Sequence, residues 1–118
     1  MTLFSNISPK RVIWVSNTGN NGNSGSENSP LKSIQSAIDK ATPGTAIMVK
    51  AGTYIENVVF KESGTAAAPI QLISADGTGA AKIKPAKAGT ATVYGFGEEN
   101  IVVRGFDITA QSKTNGIQ

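Results

Sequence analysis

The chain contains neither cysteine nor histidine. Without cysteine there is no disulfide framework and no thiolate metal site, and without histidine every Cys–His or Ser–His catalytic arrangement is excluded. Any chemistry must therefore use other side chains, which include 11 basic and 8 acidic residues. The formal net charge of +3 permits a polyanionic partner without requiring one.

Signals for a membrane or for nucleic acid are also lacking. No apolar run approaches the ~20 residues that a membrane span requires, and residues 1–11 lack the long apolar core of a secretory signal. Aromatic and basic residues do not interleave as they do in nucleic-acid-binding modules. The sequence therefore predicts neither a membrane partner nor a nucleic-acid partner.

The composition is poor in charge and rich in turn-forming residues. Charged residues make up 16% of the 118 residues, and there are 13 glycines. Such a chain is unsuited to a coiled coil or a helical bundle, and its length allows one domain with one modest core. We therefore expect a single all-β or repeat domain over residues 1–118.

The first 45 residues contain one predicted strand, one loop and one helix. The run 11–16 is β-branched and aromatic, as strands are, and residues 17–28 form a polar loop with a single carboxylate, too few for a calcium loop. Ser29 and Pro30 are placed to open an amphipathic helix over 30–42, and Pro43-Gly44 ends it. We expect this helix to cap the structure that follows.

Apolar positions recur at nearly constant spacing after Gly44. One ladder has separations of 23, 23 and 24 residues and the other has separations of 23 and 20. They comprise Ile47, Ile70, Val93 and Ile117, and Phe60, Ile83 and Val103. Two ladders in step predict a parallel β-solenoid with about three coils over residues 46–118. No C-terminal cap is visible, so we expect an N-terminal piece of a longer solenoid, or a chain that self-associates through its last coil.

Several motifs in order resemble one known family. They are Asn17-Thr18-Gly19 with its Asn/Gly/Ser loop, the segment 29–41, the segment 43–47, Ala51-Gly52-Thr53-Tyr54-Ile55-Glu56, and Ser63-Gly64-Thr65 before Ala68-Pro69-Ile70. Together they resemble the start of right-handed, single-stranded parallel β-helix proteins of the pectate lyase type. The resemblance covers roughly residues 12 to 109.

The resemblance implies a carbohydrate-active parent protein, secreted or at the cell surface. The expected reaction is β-elimination on an acidic polysaccharide such as pectate or alginate. In these lyases the catalytic residues and the acidic calcium ligands come from later coils, so no catalytic residue, metal ligand or cofactor is assigned within this chain, which alone is expected to be non-catalytic. The alternative is a structural or adhesive solenoid, such as part of a phage tailspike or surface protein.

Three basic residues are the candidate substrate-binding residues. Lys61, Lys84 and Arg104 each follow one member of the second ladder, so they face outward if the ladder faces inward. Stacked coils would place them ~5 Å apart in a basic stripe, which an acidic polysaccharide could neutralise. The alternative is a solvated row of charges that discourages edge pairing.

The remaining polar and aromatic residues are predicted to be structural. Glu56 is expected to make a hydrogen bond or ion pair at its bend, and Glu98-Glu99 is a poor chelate because neighbours on a strand face opposite ways. Trp14, Tyr54 and Tyr94 could stack on sugar rings, but we expect core or turn packing for all three.

Overall fold

Nine short strands and one helix form the described part of the chain. The fold is seen in a computed structural model, which describes residues 10–60, 64–65, 67–84, 93–94 and 101–108. In chain order the elements are β1 (Arg11–Val15), α1 (Ile34–Asp39), β2 (Thr45–Val49), β3 (Gly52–Ile55), β4 (Val58–Val59), β5 (Ile70–Ser74), β6 (Ala81–Lys84), β7 (Val93–Tyr94), β8 (Ile101–Arg104) and β9 (Asp107–Ile108).

The strands stack into three parallel sheets, as a parallel β-helix requires. The sheet orders are β1-β2-β5-β8, β3-β6-β9 and β4-β7, and every pairing between these strands is parallel. Consecutive strands of one coil lie in different sheets, whereas strands of successive coils pair. The predicted all-β solenoid is therefore confirmed.

The core is a column of aliphatic side chains between the sheets. Ile47 pairs with Leu72, and both are fully buried. Leu72 in turn pairs with Val103, which is partly buried. Alternation along each strand directs these residues into the core and their neighbours to the opposite face of the sheet, so β-branched and aliphatic residues at every second position specify this column.

The spacing of the core ladder differs from the sequence prediction. Ile47, Leu72 and Val103 are separated by 25 and 31 residues, and Ile70 pairs instead with Ile101. Val93 belongs to another sheet, opposite Val58, and Ile117 lies outside the described residues. The predicted first ladder is wrong because turns of unequal length make the coils unequal, so a constant period selects residues from different sheets.

The second predicted ladder is wrong for the same reason. Ile83 pairs with Tyr54 and Ile108 in the three-stranded sheet. Val103 lies in the four-stranded sheet, and Phe60 follows β4.

The helix is shorter than predicted. It begins after its N-cap Ser33, whose side chain accepts a hydrogen bond from the Ser36 amide, rather than at Ser29. Leu31 is instead extended and forms a parallel bridge with Val15. Tertiary pairing with the sheet edge therefore overrides the helical spacing of residues 30–33. The helix packs against β1, β2 and β4, while its function as a cap stays a prediction.

The polar loop covers the outer edge of β1. The Trp14 amide donates to the Gly25 carbonyl at 2.7 Å, and the Ser16 amide donates to the Leu31 carbonyl at 2.8 Å. Most of the loop side chains are exposed, as expected, yet its backbone satisfies groups that a preceding coil would otherwise pair.

Candidate functional site

Lys84 and Arg104 do not form the predicted basic stripe. Lys84 ends β6 and pairs with Ile55, whereas Arg104 ends β8 and pairs with Ile73, so the two residues lie in different sheets. Both side chains are exposed. Lys61 lies outside the described residues. The stacked geometry is wrong because it depended on the second ladder, while the binding function of these residues stays a prediction.

Each of these basic residues has a distinct surrounding. Next to Lys84 on the outer face of β6, Lys82 is paired with Asp107 of β9 at 3.4 Å between Nζ and Oδ2. Arg104 borders a shallow cavity of about 290 Å³ that Ser74, Thr78 and Gly105 also line. Within the described part of the chain, neither Lys84 nor Arg104 has an ion-pair partner, so both cations are available to an anionic ligand.

A second cavity lies against the outer edge of β3, and we call it the β3-edge pocket. It has a volume of about 250 Å³ and is lined by residues that include Asn17, Asn21, Lys32, Thr53, Ile55 and Glu56. One wall is the loop that follows β1, and the other is the strand β3. The pocket therefore lies where the first coil has no strand to pair with β3 among the described residues.

Tyr54 forms the floor that joins these two walls. Its phenolic Oη donates to the Lys50 carbonyl at 2.8 Å and accepts from the Asn17 amide at 3.1 Å. The side chain is 3% exposed. Burial raises the pKa of Tyr54 to about 12, with the charges of Glu56 and Asp76 adding to the rise and the Asn17 hydrogen bond opposing it. The predicted packing of Tyr54 is confirmed.

Glu56 and Asn21 fix the start of the helix beside the pocket. The Glu56 carboxylate accepts from the Ile34 amide at 2.8 Å and from the Gln35 amide at 3.0 Å. Asn21 Oδ1 accepts from the amides of Lys32 and Ser33. These bonds satisfy backbone donors that a helix end leaves without intrahelical partners. The predicted structural hydrogen bond of Glu56 is thus confirmed.

Trp14 differs from its prediction. It faces outward from β1 and is only half-buried, with the Lys50 ammonium 5.6 Å from its ring centroid. The side chain of Tyr94 and the pair Glu98-Glu99 lie outside what the structure describes. Core packing of Trp14 was expected from its apolar neighbours, but strand alternation places Ile13 and Val15 inside instead.

Acidic side chains are dispersed in the described residues. No group of three that could hold a metal ion occurs among them. The same part of the chain has no helix that is long and apolar enough to cross a membrane.

The β3-edge pocket was missed by sequence reasoning. Its lining residues belong to segments that the sequence had already singled out. Asn17 and Asn21 belong to the polar loop, and Thr53 to Glu56 belong to the turn motif after Ala51. Their proximity depends on β1 and β2 pairing in register, which brings the loop after β1 beside β3. That register could not be obtained from spacing alone.

Comparison with known proteins finds pectate lyases among the relatives of this chain. Residues 17–63 match the family described as protein of unknown function DUF1565. The chain is 42% identical over 67 residues to pectate lyase PEL9 of Emericella nidulans, which covers 55% of this chain and 16% of that protein. It is 34% identical over 82 residues to pectate lyase L of Dickeya dadantii, which covers 63% of this chain and 19% of that protein.

A solved structure supports the same relationship. The crystal structure of pectate lyase Pel9A superimposes with a TM-score of 0.66 and 28% identity, over 88% of this chain and 29% of that one. The chain thus spans less than a third of each of these relatives.

Proposed function

We propose, since this chain is a pectate lyase-like right-handed parallel β-helix, that it forms the first coils of a secreted or cell-surface polysaccharide lyase acting on an acidic polysaccharide such as pectate or alginate. The observation that carries this proposal is the similarity to two pectate lyases at 42% and 34% identity. The reaction assigned to the parent is β-elimination.

The β-elimination assigned to the parent protein requires a base and cations, and we place both of these in coils beyond the described residues. β-Elimination removes the proton α to a uronate carboxylate and expels the glycosidic oxygen, leaving a double bond in the sugar ring. It needs a base such as Lys or Arg, and cations that neutralise the carboxylate. The described residues have exposed cations but no group of three acidic side chains that could hold a metal ion. In the lyases that this chain resembles, the base and the calcium ligands come from later coils, so we assign them there.

The assigned contribution of this chain is to begin the solenoid and to add basic surface. Lys84 and Arg104 are exposed and lie in two different sheets, so they would contact a uronate chain at separate points. Because exposed ion pairs are each worth about 0.2–1 kcal/mol, we expect each substitution by alanine to weaken binding by roughly 1.5- to 5-fold. The two effects should add, because the sites do not touch.

The experiment uses the full chain with polygalacturonate and with alginate. Thermal unfolding at low salt should shift upward with polyuronate, and the shift should shrink in Lys84→Ala and Arg104→Ala. It should not shrink in the control Lys40→Ala, which changes an exposed lysine at the C-cap of α1. Product absorbance should show no unsaturated sugar, with or without added calcium. An unmoved thermal transition would refute polyuronate binding and favour the structural or adhesive solenoid, and release of unsaturated product would show that the base lies within this chain.

A further inference from the structure

The β3-edge pocket exposes unpaired backbone groups. The amides of Gly52 and Glu56 donate to the carbonyls of Ala80 and Lys84. The backbone N–H and C=O groups of Gly52 and Glu56 therefore point toward β6. Because backbone direction alternates along a strand, the N–H and C=O groups of Thr53 and Ile55 point the other way, into the pocket. Within the described part of the chain these groups have no hydrogen-bond partner.

The pocket is closed at both ends of this short edge. At one end a Cβ added to Gly52 would clash with the side-chain amide of Asn17, so the loop touches the strand there. At the other end Glu56 is held to the Ile34 amide at 2.8 Å. A continuous strand cannot pass between these two contacts. The space of about 250 Å³, equal to about eight waters of ~30 Å³, fits a ligand the size of a sugar ring.

The walls offer both donors and acceptors with balanced charge. In the described residues, the side-chain amide of Asn17, the hydroxyl of Thr53 and the ammonium of Lys32 have no hydrogen-bond partner. Glu56 supplies a carboxylate that offsets the Lys32 charge. The Ile55 side chain is 66% exposed and adds an apolar contact. Mixed donors and acceptors beside one apolar surface suit a sugar ring, which has hydroxyl groups around its edge and an apolar face of C–H groups.

We infer that the β3-edge pocket binds one neutral pyranose residue, as a free sugar or as the end of a neutral oligosaccharide. The ring would lie against Ile55, with its hydroxyl groups bonded to the backbone of Thr53 and Ile55. The side chains of Asn17, Thr53 and Lys32 would supply further hydrogen bonds. Neither Lys84 nor Arg104 lines this pocket, although Lys84 is the partner of Ile55 on the neighbouring strand. The inference does not depend on the proposed lyase reaction.

The test compares two sugars that differ in one group. Backbone amide NMR of the full chain is followed during titration with galactose and, separately, with galacturonic acid, which carries a carboxylate in place of the primary alcohol. Galactose should shift the amide signals of Thr53 and Ile55 in a saturable manner, at least as tightly as galacturonic acid. A parallel titration with lactose shows whether a terminal residue of a longer sugar is accepted.

Matched variants locate the site. Thr53→Val and Lys32→Met should each weaken galactose binding roughly 3- to 10-fold, because each removes one hydrogen-bond donor worth about 0.5–1.5 kcal/mol. Thr78→Val and Lys40→Met make the same changes at exposed positions outside the pocket, and their affinity should be unchanged.

Three results would overturn the inference. They are no saturable shift with any neutral sugar, tighter binding of galacturonic acid at the same amides, or saturation of these amides by a short extended peptide instead. Polygalacturonate binding through Lys84 and Arg104 is measured separately, so failure here leaves the proposed function standing.

Discussion

At the scale of single residues, Tyr54 connects two coils through one oxygen atom. Its Oη bonds to the Lys50 carbonyl and to the Asn17 amide, which lies 37 residues earlier in the chain. Ionisation would remove the proton that bonds to Lys50 and would place a charge in a buried site. Burial accordingly raises the pKa of this phenol to about 12 from its ordinary 10.0.

This raised pKa predicts an alkaline loss of stability. Since the folded pKa lies above the unfolded value, the contribution of Tyr54 is fully present below about pH 10 and is lost as the pH rises to about 12. The melting temperature of the wild type should therefore fall more steeply across this window than that of Tyr54→Phe. Lysines also titrate there, but they do so in both proteins, and parallel melting curves would contradict the prediction.

Predictions for single residues succeeded where the local motif determines the environment. The bend at Ala51–Glu56 indicated structural functions for Tyr54 and Glu56, and both are confirmed. Trp14 was misassigned because an unbroken apolar run conceals which alternate face is inside, and the run places Trp14 outside next to Lys50. The β3-edge pocket was missed because it depends on contacts between residues that are distant in sequence.

At the scale of elements, helix α1 pairs with the edge of β4 through a side chain. Gln35 Nε2 donates to the Val59 carbonyl at 2.8 Å, and Gln35 Oε1 accepts from the Val59 amide at 2.7 Å. The side-chain amide of Gln35 therefore bonds both the N–H and the C=O of Val59, which a neighbouring strand would otherwise bond. The edge of β4 is satisfied without another strand, as an edge protected from aggregation requires.

Removal of this side chain should destabilise the fold. Gln35→Ala leaves the Val59 amide and carbonyl without these bonds in a partly buried position, and we expect a loss of about 1–3 kcal/mol in the free energy of unfolding. Urea denaturation measures it. The control Ser36→Ala, on the same helix, should change stability by less than about 0.5 kcal/mol. Equal losses in the two variants would show that the bonds of Gln35 to Val59 do not account for the effect, because alanine favours the helix in both variants.

Element positions were predicted better than their pairing. The strand predicted over 11–16 is seen at Arg11–Val15. A helix within 30–42 and the turn at Pro43-Gly44 are also confirmed, with Gly44 at a φ of 91°. The helix start was placed too early because Leu31 forms a bridge with Val15 instead. Both predicted ladders are wrong because the coils of a solenoid match only in their strands. The turns between the strands vary in length, so the number of residues per coil is not constant.

At the scale of the whole molecule, burial decreases along the stack. Ile47 and Leu72 are fully buried, whereas Val103, the next residue of the same column, is only partly buried. Phe106 and Ile108 pack at the same end and are also partly buried. No described strand pairs with the outer edges of β8 and β9. Among the described residues, the apolar column therefore ends in a surface that a further coil or another molecule could cover.

We expect the purified chain to associate through this surface. Sedimentation over a range of concentrations should show association that Ile108→Lys weakens, because burying an unpaired ammonium in an apolar interface is costly. Val12→Lys is the control, since Val12 lies in the strand at the opposite end of the stack and is already 43% exposed. Both variants should retain the far-ultraviolet spectrum of the wild type. A wild type that stays monomeric at every concentration, or equal weakening by both variants, would show that β8 and β9 do not form the contact.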